Sequence, residues 1–310
     1  MNKIELLSPV GDWDCLLAAV QNGADSVYFG STLFNARASA NNFDVPTLKK
    51  AIQYCKLRNV RTFLTLNILI KNSEFNDAIN LAQKAYEFGI DALIVQDLGL
   101  ARYLIKNFPD MPIHGSTQMS IHNLEGVLEL QDLGFKRVVL ARELPLNEIQ
   151  YICKNSKIEI ETFIHGAMCT NISGRCIHGA LCISYSGQCL FSSIIGGRSG
   201  NRGKCAGPCR LPYELLNHNN VSNKETTMDK GYLLSAKDLC TLDYLPQLID
   251  AGVKCFKIEG RLKTEYYLAS VVNAYRNAID DYMKNPNEYD YNKYLKELEK
   301  TKTRGLTTFY

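Results

Sequence analysis

One alternation recurs through most of this chain and constrains its fold more than any other feature. Short apolar runs at Ile4–Ser8, Ser26–Gly30, Thr62–Ile68, Ala92–Gln96, Ile113–Thr117, Arg137–Ala141, Ile158–Ile164 and Lys254–Glu259 read as buried strands. Between them lie amphipathic patterns at Trp13–Asn22, Pro46–Arg58, Glu74–Phe88, Leu98–Asn107, Asn123–Leu133, Leu146–Asn155 and Leu242–Ala251. Four of these close on a glycine, at Gly23, Gly89, Gly134 and Gly252, which can take the left-handed conformation that ends a helix. Continuous apolar strands joined by helices predict a parallel sheet covered on both faces. Eight such units in a chain of 310 residues close most economically into a TIM-like (β/α)8 barrel. An open doubly wound sheet is the alternative, but no GxGxxG follows the first strand.

A barrel of this kind keeps its chemistry at the C-terminal ends of its strands. Polar residues expected at that rim are Ser8, Asn35, Arg37, Asn67, Gln96, Asp97, Ser116, Gln118, Arg142, Glu143, His165, Glu259 and Arg261. Each alone could be a helix cap or a loop salt bridge, and Asp97 before a helix fits an N-cap. As a ring they suit a ligand carrying carboxylates or phosphates, because arginines bind such groups in bidentate fashion. We assign catalytic roles to Arg142, Glu143, His165, Glu259 and Arg261, and co-substrate binding to Asn35, Arg37, Asn67 and Gln118.

The long stretch between the seventh and eighth strands holds six of the eleven cysteines: Cys169, Cys176, Cys182, Cys189, Cys205 and Cys209. The N-terminal residues show no signal-peptide pattern, and no apolar run approaches the roughly 20 residues of a membrane span. The expectation is therefore a soluble cytoplasmic protein, where dense cysteines bind metal more often than they form disulfides. Zinc sites favour tight cysteine pairs, often with histidine. Here only Cys205 and Cys209 are close, and the wide glycine-rich spacing suits an iron–sulfur cluster, with structural zinc as the alternative. Isolated Cys15, Cys55, Cys153 and Cys255 read as small buried hydrophobes. The stretch also contains a tandem repeat, HGAMCTNISGRCI at 165–177 followed by HGALCISYSGQCL at 178–190. One copy suffices for a four-cysteine site, and Cys182 and Cys189 of the second stand nearer Cys205.

The domain expectation is a barrel over 1–262, including a cysteine-rich insertion over 165–240, then a C-terminal helix and tail over 263–310. Within the latter, Thr264–Lys284 reads as one long amphipathic helix. A net charge of +3 is no nucleic-acid signature by itself. The loop from Arg198 to Arg210, with Arg202 and Lys204, could nevertheless meet phosphates.

The segments GADSVYFG, FNARAS, DALIVQD, RVVLARELPL, HGALCISYSGQCLFSSIIGGRSGNRGKCAGPCRLPY, LLSAKDLC and FKIEGRLK resemble, in that order, the U-32 family of collagenase-like peptidases. The resemblance covers nearly the whole chain and is closer to the branch that hydroxylates RNA. It implies oxygen-independent hydroxylation of a tRNA wobble uridine or a large-subunit rRNA cytidine. It also implies a [4Fe-4S] cluster on Cys182, Cys189, Cys205 and Cys209, with prephenate as hydroxyl donor. RNA, a small carboxylate donor and a paralogous subunit are the implied partners. The family has one HGAxC block where this chain has two, and members commonly continue into a further β-rich domain. A metal-dependent peptidase and a non-catalytic cluster-stabilised binding module are the competing readings. Against the first, the sequence has no HExxH helix and no evident Ser or Cys nucleophile paired with a histidine.

Overall fold

Each strand of the barrel alternates sides. Leu6, Phe29, Leu64, Leu93, Val138 and Phe256 point outward into the core shared with the helices, while Leu7, Tyr28, Phe63, Ala92, Ile94 and Cys255 fill the interior. The computed structural model describes residues 4–38, 40–167, 189–219, 224–235, 237–301 and 305–308. Strands β1 (Glu5–Pro9), β2 (Ser26–Gly30), β3 (Arg61–Leu66), β4 (Ala92–Val95), β5 (Ile113–Gly115), β6 (Arg137–Val139) and β7 (Glu159–Gly166) pair in sequence order. A hairpin of β8 (Tyr213–Asn219) and β9 (Lys224–Gly231) and the short β10 (Asp238–Cys240) come before β11 (Cys255–Ile258). Parallel pairing of β11 with both β7 and β1 closes eight strands into a barrel and excludes the open sheet.

The barrel helices are α1 (Trp13–Gln21), α2 (Val45–Lys56), α3 (Phe75–Glu87), α4 (Leu98–Asn107), α5 (Leu124–Asp132) and α6 (Leu146–Asn155). The cysteine-bearing segment adds α7 (Phe191–Gly196), and α8 (Leu245–Asp250) precedes β11. Several begin at side-chain caps: Asp12, Asp44, Asp97 and Asn123 accept from backbone N–H groups three residues on. The expected outer helix is α9 (Glu265–Lys284), whose Tyr267, Leu268, Val271, Tyr275 and Ile279 are buried. The chain continues through α10 (Asn292–Glu299) to a two-residue strand, β12 (Leu306–Thr307), beside β10. No helix of the described residues is long and apolar enough to cross a membrane.

Several strand ends differ from the sequence expectation. β5 stops at Gly115, because Ser116 caps a short 3-10 turn over Thr117–Met119, and β6 stops at Val139. β7 runs on to Gly166, where β10 pairs antiparallel with its end. The β8–β9 hairpin and β10 were not expected, since KETTMDKG is too polar to read as a strand.

Six charged side chains cross the barrel floor. Arg137 is only 1% exposed. Its Nη2 lies 2.5 Å from Glu5 Oε2 and 2.6 Å from Glu159 Oε2, and its Nη1 lies 3.3 Å from Glu161 Oε2. Lys257 Nζ meets Glu161 Oε1 at 2.7 Å, and Arg61 pairs with Glu5. Burial alone would raise the Glu161 carboxyl, but Lys257 and Arg137 more than reverse that and hold it below the usual range.

Candidate active site

The loop after β2 builds one wall of the mouth. Asn35 is buried; its Nδ2 donates to Ser31 O at 2.5 Å, and its Oδ1 accepts from Arg37 N at 2.9 Å. That local turn needs no strained residue at Asn35 and is the kind asparagine favours. Asn67, following β3, accepts from Ala36 N at 3.1 Å and pins the same loop. Arg37 is thereby aimed across the mouth, with Nε and Nη2 at 3.3 and 3.2 Å from Glu259 Oε1.

Glu259 follows β11 and is fixed through its backbone. Its N–H donates to His165 O at 2.8 Å, and Gly166 (φ +111°) lies so close that a Cβ there would stand 2.2 Å from Glu259 O. Arg261, 4% exposed, sits inside the mouth and donates to Asn35 Oδ1 at 3.2 Å and Thr65 Oγ1 at 3.4 Å. Burial would raise the Glu259 carboxyl, but Arg37, Arg261 and Arg142 together hold it below the usual range. Burial also pulls Arg261 down to about 10, so it stays protonated at neutral pH.

These residues line a cavity of about 120 Å³ at the barrel mouth. Tyr28, Asn67, Ser116, Gln118 and Arg142 contribute to it, and Lys257 forms part of its wall. Arg37, Arg142 and Arg261 line it with Glu259 as the carboxylate among the described lining residues, while Lys257 is matched by Glu161. The side-chain oxygens of Gln118 and neighbouring Gln96 are buried without a hydrogen-bond partner. Amide ends left so are ready to bind a polar ligand. An anion with two charged groups is what this arrangement suits.

Not every expected rim residue reaches the cavity. His165 is fully buried against Tyr267 and Tyr275 of α9, with Tyr275 Oη 3.4 Å from its Nδ1. Burial, helped by Lys263, brings its pKa down to about 3, so it is neutral and faces away from the mouth. Glu143 lies 3.8 Å from His122 Nε2 and does not line the cavity, although its neighbour Arg142 does. Asn35 acts one step back, through Arg261 and the loop. Asp97 is an N-cap, accepting from Leu100 N at 2.9 Å, and Ser8 is buried beneath the site. Sequence reading missed Tyr28, Thr65, Phe163 and Lys257. The signal for Lys257 was a lysine inside the apolar run CFKI, opposite the period-two acids Glu159 and Glu161.

The segment from Cys189 onward lies over this mouth. Arg202 donates to Leu69 O and pairs with Glu74 at 2.6 Å, bringing that carboxyl down to about 2. Gly203 (φ +74°) packs so tightly on the β2 loop that a Cβ would stand 2.2 Å from Asn35 O. Arg202 is thus a clamp rather than a phosphate ligand. Cys189 and Cys205 line the cavity, Cys205 and Cys209 line an adjoining one, and Gly207 N–H donates to Cys205 Sγ at 3.3 Å. Backbone donors to cysteine sulfur occur at metal–thiolate sites, iron–sulfur and zinc alike. Among the described residues, no three His, Cys, Asp or Glu side chains are gathered closely enough to chelate a metal. Cys182, like Cys169 and Cys176, lies outside the described residues. Cys15 and Cys55, pushed up to about 12 by burial, are core residues, and Cys240 joins them in β10.

The sequence profile of Peptidase family U32 matches residues 11–177 and 177–310. The chain belongs to that family. The two matches meet at Ile177, so each carries one copy of the tandem block. The U32 chain is 36% identical to an uncharacterized protease of Methanocaldococcus jannaschii, over 100% of this chain and 74% of that protein. It is 33% identical to tRNA hydroxylation protein P1 of Bacillus subtilis, over 99% of this chain and 71% of that protein. It is also 36% identical to the 23S rRNA 5-hydroxycytidine synthase of Escherichia coli, over 100% of this chain but only 45% of that protein.

Proposed function

We propose that this U32 protein is a cytoplasmic, oxygen-independent RNA hydroxylase that draws its hydroxyl from a small dicarboxylate, for which prephenate is the candidate. The observation that carries the proposal is the cationic mouth cavity, with Arg37, Arg142 and Arg261 around Glu259 and with Cys189 and Cys205 on its wall. The names of the relatives, two of which describe hydroxylated tRNA or rRNA, point the same way. Cys182, Cys189, Cys205 and Cys209 would hold a [4Fe-4S] cluster, which supplies a redox-active or Lewis-acidic iron when bound.

The chain's own residues then have separable tasks. Arg142 and Arg261 take the donor's carboxylates. Glu259 stays ionised, accepts only, and steers Arg37 instead of delivering a proton. Tyr28 donates to Ile258 O at 2.9 Å, and burial keeps its phenol protonated beside Glu259. Phe163 and Ile94 keep the inner wall apolar, which strengthens every charge contact within. In overall balance, the donor's hydroxyl exchanges with a pyrimidine ring hydrogen, so no external oxidant is required.

The test is nucleoside mass spectrometry of tRNA and rRNA from a strain lacking the gene, with and without the gene restored. Loss and recovery of one hydroxylated pyrimidine is expected. Unchanged RNA, with cleavage of gelatin by the purified protein, would replace this reading with the peptidase.

A further inference from the structure

Two cavities adjoin at the barrel mouth, and their sizes decide what each can hold. The inner one is about 120 Å³, room for a carboxylate-bearing end of a donor but not for a base with its ribose and phosphates. The outer one is about 770 Å³. Ala36, Arg37, Cys205 and Glu259 line both and form the common wall.

We infer that the outer cavity is the nucleotide-binding site, taking one extruded pyrimidine and its flanking phosphates from single-stranded RNA, while the inner cavity keeps the donor. This rests on the RNA-hydroxylase reading above. Tyr232 and Leu262 line the outer cavity yet are 67% and 61% exposed. An exposed aromatic ring on a cavity wall is a platform on which a base stacks, and Leu262 adds apolar surface to the same wall. Lys237 stands on the same wall with Arg210, which donates to Ser235 Oγ at 3.4 Å, and Lys263, which pairs with Asp238 at 3.5 Å. The acid among the described lining residues is Glu259, matched by Arg37. Such a surface favours a polyanion with flat apolar groups. A base reacting at a ring carbon must leave its stack, and a cavity beside Cys205 and Cys209 receives it there. Arg37, Cys205 and Glu259, which line both cavities, would then form the boundary at which donor and base meet.

The test uses the full chain purified without oxygen and a thiouridine-containing single-stranded oligoribonucleotide as probe. Photocrosslinking should mark the peptide around Tyr232 or Leu262, and saturating prephenate should not displace the oligomer. Tyr232→Ala should weaken binding about tenfold, the scale of one lost base stack, whereas Tyr232→Phe should bind normally. Both should melt like the parent, because Tyr232 is exposed. Crosslinks around Asn67 or Gln118, competition by prephenate, or unchanged affinity in both Tyr232→Ala and Lys237→Ala would overturn the inference. Displacement of the oligomer by a gelatin peptide would assign the cavity to protein instead. The two proposals fail separately. If the parent gene restores the modified nucleoside and Tyr232→Ala restores it fully, only the cavity assignment falls. If the parent gene restores nothing, the hydroxylase reading falls with it.

Discussion

Substitution of Lys257 by Met tests whether the charges in the barrel floor act as one unit. At 2.7 Å from Glu161, the ammonium contributes a gross attraction of about 6 kcal/mol at an effective dielectric near 20. Desolvating two ions opposes most of that, and removing one partner of a buried pair costs about 3–5 kcal/mol. Here the lower end applies, because Glu161 keeps Arg137 at 3.3 Å. A loss of about 3 kcal/mol corresponds to a fall of roughly 5 °C in melting temperature for a chain of 310 residues. Glu161→Gln should cost at least as much, since it takes the carboxylate away from buried Lys257, although Arg137 retains Glu5 and Glu159. The double variant should be more stable than the sum of the singles predicts, by about 2 kcal/mol, because neither charge is left alone. Urea titrations at neutral pH, with unchanged slopes, measure all four proteins. The acid side gives a second reading. The lowered pKa of Glu161 contributes stability above the ordinary carboxylate range, and that stability is lost as pH falls through the folded value. The parent should therefore lose stability on acidification more steeply than Glu161→Gln. Additivity within about 0.5 kcal/mol, or parallel acid curves, would refute a coupled floor.

Gly203→Ala forces a Cβ onto Asn35 O in a left-handed backbone and should loosen the overlying segment, seen as faster proteolysis between Cys189 and Cys209 with little change in barrel melting. The anaerobic parent should be brown and hold about four iron atoms, whereas Cys205→Ser and Cys209→Ser should each yield colourless protein without iron. In the tandem block, Cys182→Ser and Cys189→Ser should also abolish iron, whereas Cys169→Ser and Cys176→Ser should leave it nearly unchanged; the opposite pattern assigns the site to the first copy. Arg142→Ala should lose hydroxylation while melting normally, with partial rescue by more donor. Arg261→Ala should also melt early, by the roughly 1.5–3 kcal/mol of hydrogen bonds from a charged group, since its bonds to buried Asn35 and Thr65 are lost.

The barrel was legible because its signal is repeated: eight apolar runs, most of them followed by a capped or glycine-stopped helix, leave few ways to fold. Rim residues were legible only as positions. Which way a side chain turns at a strand end depends on partners distant in sequence. His165 follows six residues of apolar-rich β7 and should by register have met the mouth, yet β10 pairs with that end and α9 supplies Tyr275 behind it. Glu143 and Arg142 are adjacent and face different neighbours for the same reason. Lys257 was hidden by its own strand, since a single charge in an apolar run reads as an interruption until the acids across the barrel are known.

Floor and mouth of the barrel obey different charge rules, and the difference locates the ligand. In the floor, Arg61, Arg137 and Lys257 meet Glu5, Glu159 and Glu161, so every buried charge has an opposite partner supplied by the chain. Such a set needs nothing from outside and serves to fix strand register. At the mouth, Arg37, Arg142 and Arg261 share Glu259, and Arg261 is held with two neutral oxygens from Asn35 and Thr65. A guanidinium whose pKa burial has already lowered is stabilised by whatever anion arrives. Anion binding should therefore stiffen Arg261 and its two loop partners more than any part of the floor. Since Asn35 also carries Gly203 on its carbonyl, that stiffening would reach the segment bearing Cys189 and Cys205 through one contact. Donor binding would then be coupled to the order of the cysteine segment through Asn35. Asn35→Ala removes the side-chain link to Arg261 but keeps the carbonyl against Gly203. It should uncouple the two, read as donor protection of that segment from proteolysis that the variant lacks.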